Sequence, residues 1–198
     1  LYLTGMGADI NPSPRGSLLD AKRHGVELAG AVISVLNRPL RPVAGEVRHA
    51  YRELDLAFEP QPDRAALEAD AMNNDPFIRR RAEMFLKKIE AGQPLPTGVS
   101  LPMSVVRIGD DLSFLSMAGE VVVDYSRAFK RLHAAAHPWT IGYAYEVPCY
   151  IPNIRILKEG GYEAQSSLIY YGFYGPFKTD IEPMIFEAMG ELVAGTKK

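Results

Sequence analysis

Three groups of residues have the types and positions that catalysis or metal binding requires. The loop 5–12 follows a short apolar run and precedes a helix, and backbone amides at a helix N-terminus favour a negative ligand. Glu120 directly follows an apolar strand, where a carboxylate is well placed for metal binding or acid–base chemistry. Tyr150 and Tyr162 lie in a segment rich in tyrosine and glycine.

Each of these groups also has a plainer structural interpretation. The loop 5–12 lacks the glycine spacing of a dinucleotide fingerprint and the Lys-Ser/Thr pair of a P-loop, and it can be a tight strand–helix turn. Glu120 can be an acid that complements a helix macrodipole, and the tyrosines can be packing residues. Chemistry alone leaves these alternatives open.

The histidines and the cysteine give weaker signals. His133 and His137 stand at i, i+4, but Pro138 ends the helix there and no third ligand is near in sequence. We therefore expect a structural or surface role for this pair. Cys149 has no nearby His–acid constellation, which predicts a packed thiol rather than a nucleophile.

Apolar periodicity predicts the elements that position these residues. Ser17 is a candidate N-cap for the first helix, and a change of register near Glu53 suggests a bulge in the second strand. The alternation of elements predicts an α/β fold with a mixed β-sheet and flanking helices. Strands are predicted over 1–4, 46–58, 99–107, 112–117, 139–145 and 168–173, and helices over 18–36, 63–72, 76–91, 120–136 and 181–193.

Composition excludes several classes of function. The chain has 198 residues, a formal net charge of −2 and no long block of like charge, so we expect no electrostatic attraction to nucleic acid. The single cysteine excludes an internal disulfide. Because Leu1 begins inside a predicted strand, we expect the sequence to be a fragment.

Four segments, in this order, resemble the C-terminal part of the catalytic domain of the neutral/alkaline, non-lysosomal ceramidase family. Tyr162 follows Tyr150 by 12 residues, which is the spacing in that family. The resemblance covers nearly the whole chain and implies that 1–198 is the C-terminal portion of a larger ceramidase-like domain. The segments are 7–12 (Gly-Ala-Asp-Ile-Asn-Pro), 107–110 (Arg-Ile-Gly-Asp) with 116–120 (Ser-Met-Ala-Gly-Glu), 142–150 and 160–164 (Gly-Gly-Tyr-Glu-Ala).

The resemblance implies roles for individual residues. Glu120 and Tyr150 are implied to be zinc ligands, and Tyr162 to hydrogen-bond the developing oxyanion or the substrate amide. The remaining zinc ligands of the family are two histidines, which belong to the region before Leu1. This chain alone is therefore expected to bind zinc poorly. The residues implied to shape the substrate site are Gly7, Asp9, Gly161 and Glu163.

Asn11 departs from the family, which has a serine at this position. An asparagine cannot form an acyl-enzyme as a serine does, but it can donate a hydrogen bond to an oxyanion. This favours a metal-activated water as the nucleophile, with its pKa lowered toward ~7. It also makes a ceramide-like N-acyl lipid only one candidate substrate beside other N-acyl amino compounds.

The leading hypothesis is therefore a zinc-dependent hydrolase of a linear amide. The alternatives are a non-catalytic binding module and a structural module that retains the fold. We expect a small-molecule or lipid amide as partner, no nucleic acid, no transmembrane segment and self-association through the surface left by the missing N-terminal part. The full-length protein is expected to be extracytoplasmic or secreted.

Overall fold

A computed structural model describes residues 2–197 of the chain. Two short turns add to the regular elements: a 3₁₀ turn at Ala134–Ala136 and a π-helical turn at Tyr162–Ser166. The helices are α1 (Leu18–Leu36), α2 (Arg64–Ala71), α3 (Pro76–Glu90), α4 (Val123–Leu132), α5 (Ile154–Glu159), α6 (Leu168–Tyr171) and α7 (Ile181–Gly195). The strands are β1 (Val47–Ala57), β2 (Gly98–Ile108), β3 (Leu112–Met117), β4 (Glu120–Val121), β5 (Pro138–Ile141) and β6 (Tyr150–Ile151).

The main sheet has four strands in the order β1-β2-β3-β5. The β1–β2 and β2–β3 pairs are antiparallel, whereas β3 and β5 are parallel. A separate two-stranded parallel sheet joins β4 to β6. The predicted α/β class with a mixed sheet and flanking helices is therefore confirmed.

Two helices pack on the main sheet and close its core. Helix α7 contacts β1 and β2, and α4 contacts β5. The Phe186 ring of α7 lies 5.6 Å from the ring centroids of both Tyr125 and Phe129 of α4, so the two helices also pack on each other. A smaller cluster buries Leu67 and Phe85 against Tyr174 beneath α2 and α3.

Side-chain caps explain where several helices begin. Ser17 accepts a hydrogen bond from the Asp20 amide, and Asp63, Asp75 and Asn153 cap α2, α3 and α5 in the same way. Each cap satisfies an amide that the helix itself leaves without a partner. The predicted helices at 18–36, 63–72, 76–91 and 181–193 are all confirmed within one or two residues at each end.

The predicted bulge near Glu53 is wrong. Strand β1 pairs with β2 without interruption from Val47 to Ala57. The even-numbered residues of β1 share one face throughout; Leu54 and Leu56 are buried in the core, and Ala50 packs against it. The prediction failed because Val47 and Tyr51, on the other face, are apolar but exposed, so the apolar residues change face along the sequence although the strand is regular.

The predicted strand at 168–173 is also wrong, because this segment forms helix α6. The π-helical turn before it already sets a helical path, in which the Ser167 amide donates to the Tyr162 carbonyl. Gly172, at a φ of 76°, ends the helix after one turn.

At the N-terminus, residues 2–4 form no strand, although the Thr4 carbonyl accepts a bond from the Gly142 amide. Leu1, the first residue of that predicted strand, lies outside the described part of the chain.

The helix predicted over 120–136 is shorter than expected. Glu120 belongs to β4, α4 begins only at Val123, and a 3₁₀ turn follows His133. The interpretation of Glu120 as an acid that opens a helix is therefore incorrect. The strand predicted over 139–145 ends at Ile141, because Tyr143 and Tyr145 adopt positive φ angles of 56° and 63°.

Helix α1 has no buried residue. Its large apolar side chains are more than half exposed, from Leu18 at 92% to Val32 at 51%. The helix therefore exposes far more apolar side chains than the isolated ones that are common on protein surfaces. Over residues 2–197, no helix combines the length and the apolar character that crossing a bilayer would need.

Candidate functional site

The two-stranded sheet places Glu120 beside Tyr150. The two residues are direct partners in the parallel β4–β6 register, and the Glu120 amide donates to the Cys149 carbonyl over 2.9 Å. Gly119, at a φ of 82°, turns the chain from β3 into β4, and its amide donates to the Glu146 carbonyl. Glu120 and Tyr150, which are far apart in sequence, are therefore neighbours in the structure.

The π-helical turn brings Tyr162 to the same place. Gly160 and Gly161 have φ angles of 75° and 96°, which a residue with a side chain rarely adopts. The Gly161 carbonyl accepts from the Gln165 and Ser166 amides and so fixes the start of the turn. The Tyr162 ring then meets the Tyr150 ring edge-to-face, with centroids 5.4 Å apart.

Two tyrosines that the sequence did not single out complete the cluster. The Tyr143 hydroxyl donates to Oε2 of Glu120 over 3.1 Å, and the Tyr171 hydroxyl donates to Oε1. The Tyr171 ring also lies edge-on to Tyr150 at 6.5 Å. Both oxygens of the Glu120 carboxylate are thus hydrogen-bonded by phenols. Positive φ at Tyr143 is the kind of local strain that is frequent at functional sites.

The carboxylate of Glu120 sets the electrostatics of the cluster. Burial and the neighbouring Glu120 carboxylate raise the pKa of Tyr150 and of Tyr171 well above the ordinary tyrosine value of 10.0. The same two causes raise the pKa of Tyr143. Burial, with a contribution from Glu120, raises the pKa of the Cys149 thiol to about 12, which agrees with a packed thiol.

The N-terminal loop docks beside this cluster. The Ala8 amide donates to the Val121 carbonyl, one residue from Glu120, and Oδ1 of Asp9 accepts from the Val123 amide over 2.7 Å. Asp9 thereby caps α4 from a distance of more than a hundred residues in sequence. The Gly7 carbonyl accepts from the Ile10 amide and closes a turn within the loop.

Not every predicted site residue joins the cluster. Asn11 is exposed, and among residues 2–197 its side chain makes no hydrogen bond. Glu163 is half-buried next to Tyr162, again without a side-chain hydrogen bond in the described chain. Gly161 contributes through its backbone alone. The structure therefore unites Glu120, Tyr150 and Tyr162, with Asn11 on the adjoining loop.

The remaining candidate ligands are elsewhere. His133 follows α4 and its ring packs near Phe129, while His137 takes a left-handed conformation after the 3₁₀ turn. In the described part of the chain, no three His, Cys, Asp or Glu side chains are grouped so that they could hold a metal ion. The donors present at the cluster are oxygens from one carboxylate and several phenols.

Comparison with known proteins gives no family for this chain. No protein-family model matches it, and neither a curated protein nor a solved structure is similar enough to count as a match. The function must therefore be argued from the Glu120 cluster itself.

Proposed function

We propose that the chain supplies Glu120, Tyr150 and Tyr162 to the active site of a zinc-dependent hydrolase of linear amides. The observation that carries the proposal is the pairing of Glu120 with Tyr150 on adjacent strands and the packing of Tyr162 on Tyr150. These three residues are the ones that the resemblance to ceramidases nominated, and they come from three separate segments.

The oxygen donors at the cluster fit part of a zinc site. A carboxylate and a phenolate can both bind zinc, but a catalytic site has three protein ligands in addition to water. Residues 2–197 hold no group of three His, Cys, Asp or Glu side chains that could bind a metal ion, so the proposal requires histidines from outside this chain. When bound, zinc would activate water and polarise the amide carbonyl.

The other residues have roles that follow from their contacts. Tyr162 is 47% exposed, and within the described residues its hydroxyl makes no hydrogen bond, so it is free to donate to a substrate carbonyl or an oxyanion. Tyr143 and Tyr171 orient the Glu120 carboxylate. Asp9 anchors the loop that carries Asn11 beside β4.

The test is an assay of the full-length protein with N-acyl lipids and N-acyl amino compounds, with and without a chelator. We expect hydrolysis that the chelator abolishes and that zinc restores. Glu120→Ala should lower kcat/KM by at least ~100-fold, the usual effect of losing an important metal-site group. Tyr51→Phe, on the exposed face of β1, is the matched control and should keep full activity. Hydrolysis that ignores both the chelator and Glu120→Ala would reject the proposal.

A second candidate function is a non-catalytic binding module. The specific observation in its favour is that phenols already occupy both oxygens of Glu120. If the full-length protein shows no amide hydrolysis yet the chain binds a ligand through these residues, this candidate replaces the first.

A further inference from the structure

A surface cavity lies beside β5, which is an outermost strand of the main sheet. Its volume of about 370 Å³ falls within the ~300–1,000 Å³ that is usual for small-molecule sites. We name it the edge cavity. Leu3 and Gly5 line one side, and between them the Thr4 carbonyl accepts a hydrogen bond from the Gly142 amide over 3.1 Å. This bond holds the N-terminal segment beside the end of β5.

Helix α4 supplies the charged side chain of the cavity. Lys130 lies in the last turn of α4, four residues after Ser126, so both project from the same helix face. The buried hydroxyls of Ser126 and Thr140 are hydrogen-bonded over 2.7 Å, which fixes this helix face against β5. Over residues 2–197, Lys130 forms no salt bridge and no acidic residue lines the cavity, so its ammonium group is available to an anion.

An open aromatic ring supplies most of the apolar lining. Trp139 is 61% exposed, and its indole meets the Phe114 ring edge-to-face with centroids 6.2 Å apart. Much of the indole is therefore free to contact a ligand. Leu3, Pro138 and Ile141 add apolar surface around it. A second aromatic ring against the indole gains more than its buried area alone provides.

The single ammonium group decides which anion fits. A lysine carries one charge and three N–H donors, which suit a carboxylate. Phosphate is usually held by an arginine fork or by several backbone amides at a helix N-terminus. The described lining contains no arginine and no helix N-terminus. A monoanion with an apolar body is therefore the better match.

We propose that the edge cavity binds a small aromatic carboxylate, with its ring against Trp139 and its carboxylate on the Lys130 ammonium. None of the described lining residues belongs to the Glu120 cluster, and the contacts need no metal. The proposal does not rest on the proposed hydrolase activity, and each can hold without the other.

The experiment is a titration of the chain with phenylpropionate, followed by tryptophan fluorescence and isothermal calorimetry, with EDTA present. Trp139 is the only tryptophan in the sequence, so its emission reports on this cavity. We expect a saturable change with a Kd on the order of 1 mM. A lack of saturable change in emission, together with no heat of binding, would overturn the proposal.

Two related compounds test the two parts of the ligand. Phenylpropanamide has the same ring and nearly the same shape but no charge, and it should bind about fivefold more weakly because it cannot pair with Lys130. Hexanoate keeps the carboxylate without a ring and should also bind about fivefold more weakly. Binding of either compound as tightly as phenylpropionate would contradict the proposed ligand class.

A lysine variant assigns the charge. Lys130→Met keeps a long side chain and removes the ammonium, so it should weaken phenylpropionate binding about fivefold and make the acid and the amide bind equally. Lys158→Met is the matched control, because Lys158 is an exposed lysine in the last turn of α5, and it should change neither affinity. Equal effects of the two substitutions would contradict the role of Lys130.

Trp139→Leu tests the ring. It should weaken phenylpropionate binding about fivefold, measured by calorimetry because the fluorophore is lost. The indole is more than half exposed, so we expect the variant to fold, which circular dichroism checks. Phenylpropionate binding at full strength in the folded variant would contradict the proposal. If the variant does not fold, the comparison of Lys130→Met with Lys158→Met still decides.

Discussion

Glu120 is the residue around which the site is organised. It receives hydrogen bonds from Tyr143 and Tyr171, and it pairs through the backbone with Tyr150. A hydrogen bond to a charged group is stronger than one between neutral groups. The orientation of this carboxylate is therefore fixed by one phenol from a loop and one from helix α6 before any ligand arrives.

Removing one phenol should weaken the fold as well as the site. Tyr171→Phe deletes a donor to Glu120 and should lower the free energy of unfolding by about 1 kcal/mol, at the low end for a charged partner because the site is partly open. Urea unfolding measures this change. Tyr170→Phe is the matched control. Tyr170 is the next residue in the chain, it is 58% exposed, and its hydroxyl makes no hydrogen bond among the described residues. Equal effects of the two substitutions would contradict the assignment.

The raised pKa values of Tyr150 and Tyr171 predict a loss of stability in alkali. Both groups bind their proton more tightly in the folded state than in the unfolded chain, where the pKa is 10.0. Their contribution to stability is fully present below pH 10 and declines as the pH rises above that value. We expect the free energy of unfolding to fall above pH 10, with a smaller fall in Glu120→Gln. An identical pH profile for the variant and the wild type would show that Glu120 does not influence these phenols.

The sequence predicted only part of this constellation. The resemblance to the ceramidase family nominates Glu120, Tyr150 and Tyr162, and the structure brings them together. Tyr143 and Tyr171 were missed, because one follows a strand in a left-handed conformation and the other lay in a segment that was predicted to be a strand. When the secondary structure of a segment is predicted wrongly, the sequence cannot indicate where its side-chain donors will point.

At the scale of elements, caps and the periodicity of long helices gave correct bounds, whereas several short segments were assigned wrongly. Ser17 and the break between the predicted strands 99–107 and 112–117 gave correct boundaries because capping and turn chemistry are local. Strands β4 and β6 have two residues each and depend on partners far along the chain. No periodicity over two residues can reveal such a pair, so their role in the site emerged only from the structure.

The N-terminal loop should act as a remote cap for helix α4. Oδ1 of Asp9 accepts a hydrogen bond from the Val123 amide. The N-cap residue of α4, Val122, makes no side-chain hydrogen bond to the helix. We expect Asp9→Ala to lower the free energy of unfolding by about 1 kcal/mol, the usual value of an N-cap. Asp9→Asn keeps the acceptor and should cost less. Urea denaturation checks both, with the exposed loop residue Asn11→Ala as the neutral control. A neutral effect of Asp9→Ala would show that the loop is not held by this bond.

At the scale of the whole molecule, helix α1 dominates the uncovered apolar surface. None of its residues is buried, and Leu28, Val32 and Ile33 are all more than half exposed. Apolar surface that is exposed along a whole helix favours association with another apolar surface. In a solution of the purified chain, the apolar surface that is most available for such an association is helix α1 of a second copy.

We therefore expect concentration-dependent self-association of the chain through α1. Val32→Lys combined with Ile33→Glu should shift the species toward a monomer in analytical ultracentrifugation. Met72→Lys is the control, because this methionine is 84% exposed and lies at the end of α2. A monomer at all concentrations, or equal effects of both sets of substitutions, would contradict a role for α1.

The proposed zinc site at Glu120 and Tyr150 is tested most directly by locating the bound metal. The measurement is the anomalous diffraction of a crystal of the full-length protein loaded with zinc. The proposed site predicts a zinc peak at about 2.0–2.2 Å from a carboxylate oxygen of Glu120, with the Tyr150 hydroxyl also bound. The Tyr162 hydroxyl should face the open coordination position. A fully occupied zinc peak that contacts neither Glu120 nor Tyr150, or no bound zinc at all, would contradict it.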